Sequence, residues 1–282
     1  MEIIRDPRAF QEACLNWRAR GLTLGLVPTM GAFHAGHLSL MDFARTGADR
    51  VLVSLFVNPT QFDPGEDLAR YPRDFERDRA LAGERGVDVL FAPEAHAMYE
   101  PDHACFVDVP ELARGLCGRS RPGHFRGVAT VVAKLFHLAQ PTLAVFGEKD
   151  WQQLTIIRRM VRDLNMPVRV AGRPTVREPD GLAMSSRNAN LSEAERAAAP
   201  AIFAGLTQAR QRAADGERDA AALAGRLADF YAARLPGAGI DYVEIVDPTR
   251  LAPVPRIEAP ALLAVAVRMS GARLIDNILL GA

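Results

Sequence analysis

Hydrophobic positions in this chain fall into short unbroken runs, separated by longer segments in which they recur every three or four residues. The runs Leu22 to Val27, Arg50 to Phe56, Val87 to Phe91, Leu143 to Phe146 and Val168 to Ala171 are bounded by turn residues and predict buried strands. Between them, His37 to Thr46, Arg73 to Arg85, Gly127 to Ala139 and Gln152 to Leu164 carry helical spacing. Strands alternating with helices predict βαβ units around a parallel sheet, a Rossmann-like α/β domain over residues 1–176.

Beyond Val176 the texture changes. Helical spacing rich in Ala, Arg and Glu runs from Ser192 to about Leu235, followed by strand-like runs at Tyr242 to Val246, Ala261 to Val267 and Arg273 to Leu280. This predicts a smaller C-terminal α+β domain over 177–282, whose helices pack on a sheet. Ser192 and Glu195 have the spacing of a capping box, so a helix should start there. The segment Gln61 to Asp78 is polar, punctuated by Pro64 and Pro72, and follows a strand end; it is the expected mobile flap.

Composition narrows the class. A hydrophobic share of 49% and a charged share of 24% over 282 residues suffice for a buried core without metals or disulfides. Lys plus Arg (34) equals Asp plus Glu (34), so no overall positive field would draw the protein onto nucleic acid or anionic lipid, and an anionic ligand must be held locally. Cys14, Cys105 and Cys117 form no Cys-x-x-Cys pair, which argues against a disulfide framework and a zinc site. The first six residues lack a signal-peptide pattern, and no apolar run approaches the roughly 18 residues of a membrane span. A soluble, cytoplasmic protein without nucleic-acid or membrane partners is expected.

Three segments carry candidate chemistry. Val27-Pro28-Thr29-Met30-Gly31-Ala32-Phe33-His34-Ala35-Gly36-His37 joins the first buried strand to a helix, where free backbone N–H groups and the positive helix end favour phosphate. His34 and His37 lie three residues apart and would share one face of the first helical turn, while Gly36 allows close approach of phosphate; the alternative is that both rings only cap or pack locally. Neither a dinucleotide-binding fingerprint nor a P-loop sequence is present.

The second segment, Phe146-Gly147-Glu148-Lys149-Asp150-Trp151-Gln152-Gln153, again joins a strand to a helix and would face the same crevice. Lys149 offers a point charge to phosphate, Asp150 a partner for a ribose or for the lysine, and Gln153 lies one turn beyond; a solvated charge cluster is the alternative. The third, Met184-Ser185-Ser186-Arg187-Asn188, follows the turn signal Asp180-Gly181 and could clamp phosphate through Arg187, although by itself it also fits a plain surface loop.

Together with Phe56-Val57-Asn58-Pro59-Thr60-Gln61-Phe62 and Arg121-Pro122-Gly123-His124-Phe125-Arg126-Gly127-Val128, these segments resemble the pantothenate synthetase family, of the His-x-Gly-His nucleotidyltransferase superfamily, in type and in order. The resemblance implies ATP-dependent condensation of pantoate with β-alanine through a pantoyl adenylate, giving pantothenate, AMP and pyrophosphate. It implies ATP binding by Met30, Gly31, Ala32, Phe33, His34, Ala35, Gly36, His37, Gly147, Glu148, Lys149, Asp150, Val176, Met184, Ser185, Ser186 and Arg187, with the C-terminal domain closing over that site. His34, His37 and Lys149 would act in catalysis, with His37 in the family's acid role; Gln61 and Gln153 would bind pantoate, Gln61 would also lie near β-alanine, and Arg121 and Tyr71 would assist.

The resemblance further implies a homodimer formed through the first domain. Trp151 stands where the family more often has Tyr or Phe, and Phe33 where Leu is commoner. Where the family has acidic candidates for Mg²⁺, this chain has Arg77 followed by Asp78; the ion should be bound mainly by ATP phosphates, with no protein metal site assigned. Two other functions share the phosphate-binding physics: another nucleotidyltransferase of the superfamily, and a non-catalytic nucleotide-binding regulator. Gln61 and Gln153, neutral donor-acceptor groups suited to a small polyol acid, speak against the first.

Overall fold

Five of the six strands in the main sheet are those the hydrophobic runs predict. The computed structural model describes residues 1–62, 68 and 71–281, and the chain divides into two units. The first comprises Met1–Glu111, Arg121–Glu148 and Ile156–Pro174. Its strands β1 (Glu2–Ile4), β2 (Leu24–Thr29), β3 (Arg50–Leu55), β4 (Val89–Phe91), β5 (Leu143–Gly147) and β6 (Arg169–Arg173) form a sheet in the order β1-β4-β3-β2-β5-β6. Every pairing is parallel. Val27, Val51, Val53, Leu90 and Val145 are buried with Phe33, Met41 and Ala44 on one side of this sheet.

Strand β1 and the helix Pro7–Ala19 escaped the hydrophobic pattern. In β1 only Ile4 is buried, so three residues show neither a run nor an alternation. The helix did carry a start signal: Asp6 accepts the Ala9 N–H at 2.8 Å and Pro7 opens the first turn.

The sheet order places a topological switch at β2, whose successor β3 lies on one side and β5 on the other. The β2–β3 ladder runs from Leu24 to Thr29, but β2 pairs with β5 only at Gly25 and Leu26. Pro28, with no N–H to donate, lies beyond the end of that second ladder, where its missing donor is tolerated. The loops after β2, β3 and β5 leave the same edge of the sheet because all three strands are parallel.

The second unit comprises Leu112–Ser120, Lys149–Thr155 and Thr175–Ala282. Its strands β7 (Gly239–Val246), β8 (Ala261–Arg268) and β9 (Arg273–Leu280) form an antiparallel sheet in that order. The helical stretch from Ser192 resolves into Glu193–Ala198, Ala201–Ala214 and Ala220–Arg234, interrupted at Pro200 and Gly216. Ser192 and Glu195 form the expected capping box. Leu206, Leu227 and Tyr231 pack with Leu263, Val265 and Val267 of β8. The expected α/β sheet with a smaller α+β part is therefore the observed fold class. No helix among the described residues is long and apolar enough to cross a membrane.

Candidate active site

The turn after β2 carries the two histidines, and its geometry refines their expected placement. His34 is not on the first helical turn: it is the N-cap of the helix Ala35–Gly47, with extended backbone (φ −134°, ψ 175°), and His37 occupies the third helical position. The rings still meet, with centroids 4.1 Å apart. His34 Nδ1 accepts the Gly36 N–H at 3.1 Å, and His37 Nδ1 accepts the His34 N–H at 3.4 Å. An Nδ1 that accepts a backbone N–H carries no proton, so each neutral ring holds its proton on Nε2. The cap thus engages Nδ1 of each ring and sets its proton on Nε2.

The turn itself is held from the helix Phe75–Glu84. Gly31 and Ala32 both have left-handed backbone (φ 91° and 53°). Asp78, 1% exposed, accepts the Ala32 and Phe33 N–H groups at 2.7 Å each, and Arg77 Nη1 donates to the Phe33 carbonyl at 3.1 Å. Burial raises the Asp78 pKa, against the lowering effect of the Phe33 and Ala32 N–H groups and of Arg77. With both oxygens bonded to main chain, this carboxylate does not suit a cation site. Among the described residues no group of three His, Cys, Asp or Glu side chains is disposed to hold a metal.

After β3 the chain forms a 3-10 turn, Pro59–Gln61, which buries Gln61 to 8% exposure. The sequence reading placed Gln61 but assigned no role to Asn58, which orients it. Asn58 Oδ1 accepts from the Tyr99 hydroxyl at 2.9 Å and from Thr60 Oγ1 at 2.9 Å, so its orientation is set by its partners. Its Nδ2 then donates to Gln61 Oε1 at 3.1 Å and to the Gly127 carbonyl at 3.1 Å. Gln61 is thereby left with Nε2 as its donor, 3.1 Å from the weak acceptor Met30 Sδ. His124 Nδ1 lies 2.8 Å from the Gln61 carbonyl, to which Arg121 Nη2 donates at 3.3 Å, so Arg121 sits beside Gln61 in the same unit.

The signal for Asn58 was the Asn-Pro pair opening a turn, which the motif contained without revealing its partners. Tyr71 is buried and packs edge-on against Phe62 at 6.1 Å. Of the expected flap, residues 63–67, 69 and 70 lie outside the described residues, and its far end belongs to the helix bearing Asp78.

The turn Glu148–Asp150 that follows Gly147 leads into the helix Trp151–Asp163 and presents Lys149, which belongs with Trp151–Thr155 to the second unit. Burial pulls the Lys149 pKa below its ordinary value, with Asp150 opposing the shift and Arg187 reinforcing it. Among the described residues its ammonium has no hydrogen-bond or ion-pair partner. Asn277 Nδ2 holds the Lys149 carbonyl at 2.9 Å. Trp151 Nε1 donates to the Pro248 carbonyl at 2.8 Å, a bond Phe could not make.

Gln152 and Gln153 part company at the start of this helix. Gln152 is buried and consumed by the Cys117 N–H and the Leu112 and Gly115 carbonyls, whereas Gln153 is half-buried and forms no hydrogen bond among the described residues. The Met184 N–H donates to the Val176 carbonyl at 3.0 Å, and Ser185 caps the 3-10 turn Ser186–Asn190 that carries Arg187. Arg177 supports this loop through a bidentate pair with Asp276 at 2.6 and 2.9 Å, stacked 3.6 Å from the Phe203 ring.

Known proteins resemble the chain over its whole length. The profile of the pantoate-beta-alanine ligase family matches residues 2–279. The pantothenate synthetase of Nitratidesulfovibrio vulgaris (strain DSM 19637 / Miyazaki F) is 60% identical over 280 residues, covering 99% of each chain. That of Heliobacterium modesticaldum is 55% identical over 278 residues, again 99% of each. The crystal structure of pantothenate synthetase from Thermus thermophilus matches with a TM-score of 0.92 at 48% identity over 99% of both chains. A pantoate-beta-alanine ligase from Francisella tularensis, in complex with beta-gamma ATP and beta-alanine, matches with a TM-score of 0.82 at 33% identity, covering 99% of this chain and 97% of that one.

Proposed function

The chain belongs to the pantoate-beta-alanine ligase family, and from that premise we propose that it joins pantoate to β-alanine with ATP, releasing AMP and pyrophosphate. The observation that carries this reading is the two-histidine cap after β2, which sets both imidazoles side by side at a helix N-terminus with their protons on Nε2. Met30 to His37 bind ATP, as do Gly147 to Asp150, Val176 and Met184 to Arg187. Gln61 and Gln153 bind pantoate, with Gln61 also serving β-alanine and Arg121 and Tyr71 assisting. Mg²⁺ enters on the triphosphate, as is usual for this ion. A cytoplasmic homodimer formed through the N-terminal domain, residues 1–176, belongs to the same reading.

A carboxylate acylates an amine poorly at neutral pH, so the acid must first acquire a leaving group. The pantoate carboxylate attacks the α-phosphorus of ATP and pyrophosphate departs. His34, His37 and Lys149 offset charge on the phosphate oxygens, and the neutral His37 donates a hydrogen bond from Nε2 to the departing pyrophosphate. The β-alanine amine then attacks the pantoyl carbon and AMP leaves with one former carboxylate oxygen. Pantoate labelled with heavy oxygen in its carboxylate should therefore pass one labelled atom to AMP per turnover, and pantoate alone should support exchange of labelled pyrophosphate into ATP. Unlabelled AMP, or exchange that requires β-alanine, would overturn the adenylate route. A regulator would show neither reaction, and a nucleotidyltransferase of another kind would retain the nucleotide on its product.

Gln61 offers a donor fixed by Asn58, so Gln61→Ala should raise the KM for pantoate by about 30-fold, the loss of one well-placed buried hydrogen bond. ATP affinity measured without pantoate should change less than about threefold. Equal losses for both substrates would remove Gln61 from the pantoate site.

A further inference from the structure

We propose that Asp78, with Arg77, is a positioning residue that sets the histidine turn and is not a ligand of the nucleotide's cation. The inference rests on the reading of His34 and His37 as phosphate-binding groups. Two successive left-handed residues, Gly31 and Ala32, gather backbone N–H groups on one side of the chain, a concavity that attracts an anion. Here the anion is the protein's own: Asp78 takes the Ala32 and Phe33 N–H groups, one on each oxygen.

Three features show that this contact is built. Ala32 holds a backbone conformation that costs a residue with a side chain about 1 kcal/mol, so it needs local support. A Cβ added at Gly31 would lie 3.0 Å from Asp78 Oδ2, closer than ordinary contact, so the carboxylate sits where only a residue without a side chain leaves room. The Phe33 peptide is gripped at both ends, its N–H by Asp78 and its carbonyl by Arg77. Phe33 is 1% exposed and its ring lies 5.6 Å from that of His37. Its backbone leads directly into His34, the cap on which both Nδ1 contacts depend. A shift at Phe33 therefore reaches both imidazoles.

Asp78→Asn tests this, since an amide keeps the shape but turns an NH₂ group toward one of the two N–H donors. In the ligand-free, metal-free protein, side-chain ¹⁵N NMR should show both histidines with a bare Nδ1 in the parent and a mixture of tautomers in the variant. The kcat/KM for ATP should fall about tenfold, with the Mg²⁺ concentration for half-maximal rate unchanged within about twofold. A rise of about tenfold or more in that concentration, with rate restored by excess Mg²⁺ or by Mn²⁺, would make Asp78 a metal ligand and overturn the proposal; so would histidine signals identical to the parent's. Arg77→Met, on an exposed side chain, should move the same signals in the same direction if Asp78→Asn does not fold. Failure of the phosphate reading is a separate result: His34→Ala and His37→Ala would then bind ATP as the parent does.

Discussion

Replacing Lys149 with methionine is expected to lower turnover by about 10²–10³-fold and, at the same time, to raise the thermal midpoint. The stem is kept and only the ammonium is lost. Burial disfavours that charge more than the nearby Asp150 and Asp276 favour it, and among the described residues no side chain hydrogen-bonds to it or forms a close ion pair with it. A half-buried cation that the fold disfavours costs stability, and under the proposed function an anion arriving with the substrate would offset that cost. The pH dependence has a definite sign. Because the folded protein holds the Lys149 proton less tightly than the unfolded chain, the unfolded chain binds more protons between the lowered value and the ordinary 10.5. Stability from this group therefore rises with pH across that window, and Lys149→Met should lack the rise. Thermal melts from about pH 7 upward, paired with kcat, check both halves; a variant that melts lower than the parent and turns over normally would make Lys149 a structural residue.

Gly127→Ala is expected to cost about a hundredfold in kcat/KM for pantoate together with about 1–3 kcal/mol of stability. The helix His124–Ala139 meets the turn Pro59–Gln61 at Gly127, where an added Cβ would fall 2.3 Å from the Thr60 carbonyl oxygen and 2.7 Å from the Gln61 nitrogen. Both are backbone atoms, so neither can swing away. Relief requires the helix or the turn to move by about 1 Å, since ordinary contact lies near 3.4 Å. Either movement strains the bond from Asn58 Nδ2 to the Gly127 carbonyl, and with it the bond that orients Gln61. Gly83→Ala provides the contrast: a Cβ there meets nothing within 4 Å inside a helix, and the substitution should leave activity unchanged and stability equal or higher. Denaturant titrations and pantoate kinetics on the two variants decide the matter; near-parental kinetics for Gly127→Ala would mean that the Asn58 network does not govern Gln61.

Much of this protein was legible because the responsible interactions are local. Buried strands announce themselves as short apolar runs, and β3, β5 and β9 lie within a residue of their expected bounds. The Ser192 capping box and the histidine segment at a strand-to-helix junction are likewise written within a few residues of one another. The alternation of strand and helix patterns along the chain was enough to anticipate a parallel sheet with its ligand-facing loops at one crevice.

What only the tertiary structure decided depends on residues far apart in sequence. That Asp78 fills the amide concavity at Ala32 joins positions 46 residues apart, and that Asn58 is tied to Gly127 joins positions 69 apart. No periodicity encodes such pairs, because each side chain is compatible with solvent until the fold brings its partner to it. The same holds for Gln152 and Gln153, identical neighbours on one helix: rotation of about 100° per residue turns one into a nest of main-chain groups and leaves the other without a bond among the described residues. The two histidines show the boundary between these regimes, since their spacing was visible in the sequence, whereas the nitrogen that each keeps as a donor follows from backbone amides whose direction the folded turn alone determines.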